Sequence, residues 1–457
     1  MKAYVFVLLV AALVTYLTTG AARRLARRIG AITPVRERDV HTVPIPRLGG
    51  VAMYLGIGFA LLTASQIPFF DPIFKNQAVY IVLLSAGAVC LLGVFDDLWQ
   101  LDAVTKLAGQ ALASGLMAWQ GIQLVSLPIF GTFIPSQGVL IVLTVVAIVV
   151  TINAVNFVDG LDGLAAGIVA IAGSAFFVYS YLLTKSSQDQ YSSLASLIAA
   201  ALVGACVGFL PHNFNPARIF MGDSGSMLIG LLLATCTMAI TGQVQPSVLA
   251  ESKIAPAFLP LLLPLAVLAL PLIDLGLAVI RRTRAGKMPW QPDKMHLHHR
   301  MLGLGHSHAR AVLILYFWTA TVGFGVAMFA LVPPKPALLF AGLAMVAALL
   351  LTIGPWRGRR ATGVPQRAEP QNAEPQSAEP QNAEPQSAEP QSADSAPQSS
   401  STPSESSVLS GLSTPVKPRV PASGMAEVPN SAETRPRGLG LTEIQDETEM
   451  NSRMRRP

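Results

Sequence analysis

NAVNFVDGLDG, residues 153–163, closes an apolar run that begins near residue 138. The run is long enough to cross a bilayer as a helix, yet it ends in two carboxamides, Asn153 and Asn156, and two carboxylates, Asp159 and Asp162. A lipid-facing helix does not tolerate such a cluster, because ionisable groups at the edge of a membrane span are expensive to desolvate and by default face a water-filled site. The four recur every three residues, a spacing that drifts by roughly 60° per step on an ideal α-helix. They can share a site only if the helix stops, and Gly160 and Gly163 permit that stop. The spacing therefore predicts a helix end that turns its polar groups inward. A polar cap at the lipid headgroups accounts for one such residue but hardly for four.

The chain around this stretch has the composition of a membrane protein. Its 457 residues are 52% hydrophobic and 13% charged, with a mean hydropathy of +0.50, values of polytopic membrane proteins rather than soluble domains. About eleven segments are apolar over the roughly 17–23 residues needed to cross the hydrocarbon core. They lie near 3–21, 48–65, 78–95, 104–120, 138–156, 163–183, 192–210, 225–241, 257–280, 311–332 and 336–353. The expected fold is all-α and polytopic, with residues 1–355 as the membrane catalytic domain. From residue 356 the composition changes: Ala368–Gln391 repeats AEPQN or AEPQS, and the remainder to 457 is rich in Ser, Pro, Glu and Gln. Such a tail cannot bury enough apolar surface to fold and is expected to be disordered.

Charge sets the expected orientation. Arg23, Arg24, Arg27 and Arg28 follow the first segment where a signal-peptide cleavage site would lie, so that segment is expected to stay as a helix. These arginines, Arg47, Lys106, Arg218, the Arg281–Arg310 group and Arg357–Arg360 fall on one set of connections, whereas the opposite set offers little beyond Lys75, Lys185, Lys253 and Lys335. The positive-inside rule then puts the amino terminus outside and the carboxyl terminus inside the cell membrane. The net charge of +6 follows from this bias, with anionic lipid or ligand at the inner face, and needs no nucleic acid. Cys90, Cys206 and Cys236 all lie within predicted spans, which indicates neither a disulfide framework nor a thiolate metal site.

Four further polar motifs gather on the predicted inner side. VPIPRLGG (43–50) is a structured loop whose Arg47 serves either as a headgroup anchor or as a phosphate clamp. In FDDLWQLDAVTK (95–106), Asp96 and Asp97 diverge by roughly 100° on a helix and cannot chelate one ion as a simple pair. One can touch a metal while the other holds a neighbour. Lys106 either snorkels to headgroups or meets a phosphate at the same interface. In PHNFNPARIFMGDSGS (211–226), Asp223 lies between glycines at a helix start, where an anion is favoured and a carboxylate can hold a bridging cation. Phe220 is placed to stack on a planar ring. GDSG also evokes a serine nucleophile at Ser224, but no hydrolase strand and turn surrounds it. Finally, His296, His298, His299 and Arg300 form a dense donor set that lacks the cysteine or carboxylate of a zinc site and suits an oxyanion. The segment 121–137, with Pro128, Gly131, Pro135 and Gly138 among its boundaries, reads as an outer hairpin.

Carboxylates, carboxamides and cations meeting at one membrane face suit a divalent ion that bridges phosphate oxygens. Mg²⁺ takes one or two protein oxygens and leaves its other positions to water and substrate; Mn²⁺ is an admissible substitute. Phosphoryl transfer between a soluble nucleotide compound and a membrane lipid is the chemistry this arrangement serves.

VPIPRLGG, FDDLWQLDAVTK, NAVNFVDGLDG, ARIFMGDSGS and HLHHR, in this order over residues 1–355, resemble the motifs of the polyprenyl-phosphate N-acetylhexosamine-1-phosphate transferases. The closest branch is the bacterial undecaprenyl- or decaprenyl-phosphate GlcNAc-1-phosphate transferases. The resemblance implies transfer of a sugar 1-phosphate from a UDP-sugar to a polyprenyl phosphate with release of UMP, at the cytoplasmic face and with Mg²⁺. By motif it implies Asn156 and Asp223 as magnesium ligands, Lys106 and Arg300 as diphosphate contacts, Asp162 and the backbone at Gly160 as uracil readers, Phe220 as a stacking ring and Asn213 as a nucleotide contact. Asp96 corresponds to the residue that receives or deprotonates the lipid phosphate, with Asp97 beside it. The expected catalytic set is thus Asp96, Asp97, Lys106, His298 and His299. The expected substrate contacts are Arg47, Asn153, Asp159, Gly160, Asp162, Asn213, Phe220, His296 and Arg300. A homodimer is an admissible assembly. HLHHR departs from the phospho-MurNAc-pentapeptide transferase branch, the alternative within the same chemistry. A secondary transporter, the alternative from another class, is expected to show paired halves and helices broken at the midplane, and no internal repeat precedes the tail.

Overall fold

The computed structural model describes residues 1–33, 44–124, 135–187, 190–241, 266, 269–284, 286, 301, 306–329 and 332–353. The carboxy-terminal tail, the HLHHR motif and most of the 121–137 segment lie outside the described residues.

The protein is an all-α polytopic membrane protein. Its first helix, α1 (Lys2–Ile29), runs eight residues past the apolar segment that the sequence marks, because what ends it is Gly30 in the left-handed region at φ 76° rather than the arginines. At 28 residues it is about 42 Å long against a hydrocarbon core of about 30 Å, so its arginine-bearing end projects beyond the apolar layer. A two-stranded antiparallel ribbon, β1 (Ile32–Thr33) with β2 (Ile45–Pro46), follows in the register Ile32 to Pro46 and Thr33 to Ile45. It delivers the chain to α2 (Gly49–Ala64). A 3₁₀ turn at Pro68–Phe70 and the short α3 (Asp71–Phe74) then fold away from α2 by 94°.

Next come α4 (Ala78–Trp99), α5 (Ala103–Trp119), α6 (Gln137–Val158), α7 (Leu164–Ser187), α8 (Gln190–Asn213) and α9 (Gly222–Thr241). The last three described helices are α10 (Ala269–Arg284), α11 (His308–Met328) and α12 (Pro334–Ile353). A helix stands at each of the eleven segments expected from hydropathy, although only part of the ninth is described. Eight of the described helices are long and apolar enough to cross a membrane, or nine if α2 and Pro68–Phe74 form one broken span. Length explains the difference. α2 has 16 residues, the described part of α10 also has 16, and α5 has 17 and carries Lys106 in its first turn.

Helix α9 is the hub, with 94% of its apolar stretch buried against 11% for α12 at the periphery. It packs on α2, α4, α6 and α8. The contacts are made by small residues, as expected where lipid supplies no hydrophobic drive and close van der Waals approach must hold helices together. Gly204 and Gly208, four apart on α8, face the carbonyls of Leu8 and Ala12 on α1 so closely that any side chain would collide with them. Asp102 caps α5, accepting from the Thr105 amide at 3.0 Å and from its hydroxyl at 2.6 Å. Those two bonds hold the Asp102 carboxyl below its usual range. Its stabilising contribution is therefore present above about pH 4 and is lost as pH falls through the depressed value. Asp102→Ala is expected to lower the melting temperature at pH 7, read by thermal unfolding in detergent, and to loosen the first turn that carries Lys106.

Candidate active site

At one end of the bundle three helix termini meet on a single ammonium group. Lys106, in the first turn of α5, ion-pairs with Asp96 at the end of α4 and donates to Asp223 Oδ2, at the start of α9, at 3.0 Å. Asp96 is held for this by the Leu101 amide, which donates to its Oδ1 at 2.7 Å. The neighbouring carboxylate points elsewhere, as the 100° helical step requires. Asp97 accepts the Asp223 amide on one oxygen at 2.9 Å and the Ser224 amide on the other at 3.2 Å, capping α9. Two adjacent aspartates thus divide the work: one faces Lys106 and the other fixes the helix that presents Asp223.

The same end receives α6. Asn156 donates to Ser226 Oγ at 2.9 Å and lies beside the Asp223 carboxylate, whose charge it helps to stabilise. The bond to Ser226 draws on its NH₂ end, which leaves the carboxamide oxygen as an acceptor. The helix ends at Val158, and Gly163 has φ 78°, so the sharp turn read from NAVNFVDGLDG is present. Asp159, just past the helix end, is partly exposed and feels the charges of Asp223 and Asp97. Burial first, then these two carboxylates, push its carboxyl up to about 7, with Arg47 opposing. Arg47 stands between β2 and α2, where its amide donates to the Ala31 carbonyl at 2.9 Å. The site therefore gathers Asp96, Asp97, Asp159 and Asp223 around Lys106 and Arg47.

Backbone contacts weld two motifs that lie far apart in sequence. Phe220 N–H donates to Pro46 at 2.9 Å, and the Gly49 and Gly50 amides donate to Phe220 and Met221 at 3.0 Å each. Gly50 lies against Ser224 and Gly225, and Gly93 of α4 against Asp223 and Ser224, leaving no room for a Cβ at either position. These glycines bring α2 and α4 onto the start of α9.

Other expected site residues are engaged with the protein itself. Asn153 donates to Gln110 Oε1 at 2.7 Å and to the Val149 carbonyl at 2.8 Å, joining α6 to α5. Asn213, 2% exposed, accepts from the Gly163 amide at 3.1 Å and donates to the Ile219 carbonyl at 3.0 Å. Asp162, also 2% exposed, accepts from Asn215 Nδ2 and from the Ala217 amide, each at 3.0 Å. Both fasten the 214–219 loop to the start of α7. Gly160 is exposed and Phe220 half-buried. His296, His298, His299 and Arg300 lie outside the described residues. Sequence reading overlooked Ser226, Gln110, His308 and Tyr316. His308 Nε2 accepts the Asp162 amide at 3.1 Å, and Tyr316 donates to the Gly163 carbonyl at 2.5 Å. Ser226 was discoverable, since it lies one helical turn after Asp223; the other three belong to remote helices that nothing local announces.

Among the described residues no group of three or more His, Cys, Asp or Glu is arranged as a metal cage. The donor set is nevertheless hard and oxygen-rich, with Asn156 beside Asp223 and the Asp96 and Asp223 carboxylates sharing Lys106. That suits Mg²⁺, which needs only one or two protein oxygens and takes the rest from water and phosphate.

Fold and site together define a polytopic α-helical membrane protein whose helix termini assemble a lysine-bridged carboxylate cluster at one end of the bundle. The chain belongs to glycosyl transferase family 4, whose model matches residues 79–241, the stretch from α4 through α9. It is 43% identical to the decaprenyl-phosphate N-acetylglucosaminephosphotransferase of Mycolicibacterium smegmatis (strain ATCC 700084 / mc(2)155), over 78% of this chain and 90% of that protein. To the protein of the same name from Mycobacterium tuberculosis (strain ATCC 25618 / H37Rv) it is 44% identical, over 75% and 88%. A probable undecaprenyl-phosphate N-acetylglucosaminyl 1-phosphate transferase of Bacillus subtilis (strain 168) is 30% identical, over 67% and 80%.

Proposed function

We propose that this protein transfers GlcNAc-1-phosphate from UDP-GlcNAc to a polyprenyl phosphate at the cytoplasmic face of the membrane, with Mg²⁺, giving polyprenyl-diphosphate-GlcNAc and UMP. The observation that carries this reading is the convergence of Asp96, Lys106, Asn156 and Asp223 from four helices at one end of the bundle. The relatives named for the same transfer support it. An oxygen of the lipid phosphate attacks the sugar-bearing phosphorus of UDP-GlcNAc. The new P–O bond forms as the bond to the UMP oxygen breaks, and UMP leaves with the electron pair.

A phosphate monoester has a second pKa near 6, so at neutral pH the lipid phosphate is already largely a dianion and needs little help from a base. The barrier lies in bringing two anions together in line, and catalysis consists of placing and neutralising them. Lys106 supplies fixed positive charge where α4, α5 and α9 meet, and Asp96 keeps that ammonium in place. Asp97 holds the start of α9, so that Asp223 keeps its position relative to Asn156. Asp223 and Asn156 are the residues that would hold Mg²⁺, which when bound neutralises phosphate oxygens. Arg47, whose positive charge bears on Asp159, adds a second cation to the same end of the bundle.

The test is a donor comparison with purified protein, polyprenyl phosphate and radiolabelled UDP-GlcNAc or UDP-MurNAc-pentapeptide. Lipid-linked product and UMP are expected with UDP-GlcNAc, abolished by chelation and restored by Mg²⁺. Product from the pentapeptide donor alone would overturn the assignment.

A further inference from the structure

A second basic centre lies at the same end of the bundle, and among the described residues no carboxylate is ion-paired with it. Tyr16, Arg23 and Arg27 are seven and four residues apart on α1, so they share one helical stripe. The end of α8 docks on this stripe: the His212 ring lies 4.8 Å from the Tyr16 ring, and its Nε2 is 3.2 Å from the Tyr16 carbonyl oxygen. The Arg218 amide in turn donates to the His212 carbonyl at 2.9 Å. The 213–218 loop therefore carries Arg218 toward this stripe, and the positive charges of Arg27 and Arg218 both bear on Arg23. Arg23 Nε is shielded from solvent and has no hydrogen-bond acceptor. Among the described residues none of the three guanidiniums is ion-paired.

Three cations held together around a buried N–H that lacks an acceptor form a receptor for an anion. Planar guanidinium groups match phosphate oxygens in bidentate fashion better than any other side chain. The stripe sits where α1 leaves the apolar layer, which is the level of lipid headgroups. We propose that Arg23, Arg27 and Arg218 bind the phosphate of an anionic phospholipid headgroup, at a site separate from the Lys106 centre. The loop that carries Arg218 continues through Phe220 into Asp223 and is fastened by Asp162 and Asn213, so a headgroup held there braces the approach to α9. Because Lys106, Asp96 and Asp223 take no part, lipid binding can be read without any turnover.

The test uses delipidated full-length protein in neutral detergent, titrated with phosphatidylglycerol, phosphatidylcholine or inorganic phosphate. Bound lipid is followed by native mass spectrometry and stabilisation by thermal unfolding. Phosphatidylglycerol is expected to bind and stabilise, phosphatidylcholine to do neither, and Arg23→Gln with Arg218→Gln to weaken binding about 25-fold, roughly fivefold for each basic residue. Arg24→Gln with Arg28→Gln removes the same charge from other positions on α1 and is expected to leave affinity within about twofold. Should the first double variant fail to fold, Arg27→Gln alone, exposed at the helix end, is expected to weaken binding about fivefold. Equal binding of the two lipids, or equal weakening by the Arg24 and Arg28 pair, overturns the site in favour of diffuse attraction. Equal stabilisation by inorganic phosphate at the same concentration overturns its assignment to lipid.

Discussion

Asp223→Ala is expected to lower turnover by about 10²–10³-fold or more, with the protein still folded. The variant strips Lys106 of one of its two carboxylate partners and removes the oxygen donor beside Asn156. It leaves in place the backbone amide of residue 223 that Asp97 accepts, so the start of α9 should hold its position. The melting temperature is accordingly expected to change far less than the rate. Asn156→Ala acts on the same pair from α6 and is expected to lose a similar factor. Because the two residues share one function, the double variant should be little worse than either single one. Single-turnover formation of radiolabelled lipid product, with thermal unfolding alongside, reads both quantities. Activity within tenfold of wild type in either single variant would remove Asp223 and Asn156 from the centre of the reaction.

Asp97→Asn is expected to cost about 10²-fold in kcat for a different reason, and to lower stability as well. The carboxylate accepts two amides at the start of α9 and opposes the positive end of that helix. Asparagine keeps one acceptor oxygen and turns an NH₂ group against the other amide, losing a charge-assisted hydrogen bond worth about 1.5–3 kcal/mol in a site 9% exposed. The start of α9 shifts, and Asp223 shifts with it. A positioning role predicts that the pH profile of kcat keeps both limbs while its height falls and the melting temperature drops. Loss of the acidic limb with an unchanged melting temperature would instead assign Asp97 as the base. The distinction matters because the two aspartates are adjacent in sequence and only their partners tell them apart.

Several features were legible before any coordinates. Hydropathy located the helices, because a span must carry about 20 apolar residues whatever it packs against. The polar run at Asn153–Gly163 announced a helix that stops, and α6 does stop at Val158. The divergence of Asp96 and Asp97 followed from helical geometry alone, and the reading of Lys106 as a cation near them agrees with its ion pair to Asp96. Less legible was which polar residues face one another. Asn153 and Asn156 look equivalent in the sequence, yet one joins α6 to α5 through Gln110 while the other meets Asp223 and Ser226. Asn213 and Asp162, read as nucleotide contacts, also secure the 214–219 loop, a part that the sequence did not reveal.

By itself, then, the sequence determined that this is a multi-span helical protein with ionisable groups collected at the ends of its helices, because apolar length and polar interruption are properties of each segment alone. Only the tertiary structure decided that Lys106 bridges Asp96 and Asp223, that Asp97 caps α9, and that His212 docks on Tyr16. Those contacts join residues as many as 196 positions apart. They depend on how closely whole helices approach, which glycines such as Gly50 and Gly93 permit without announcing their partners.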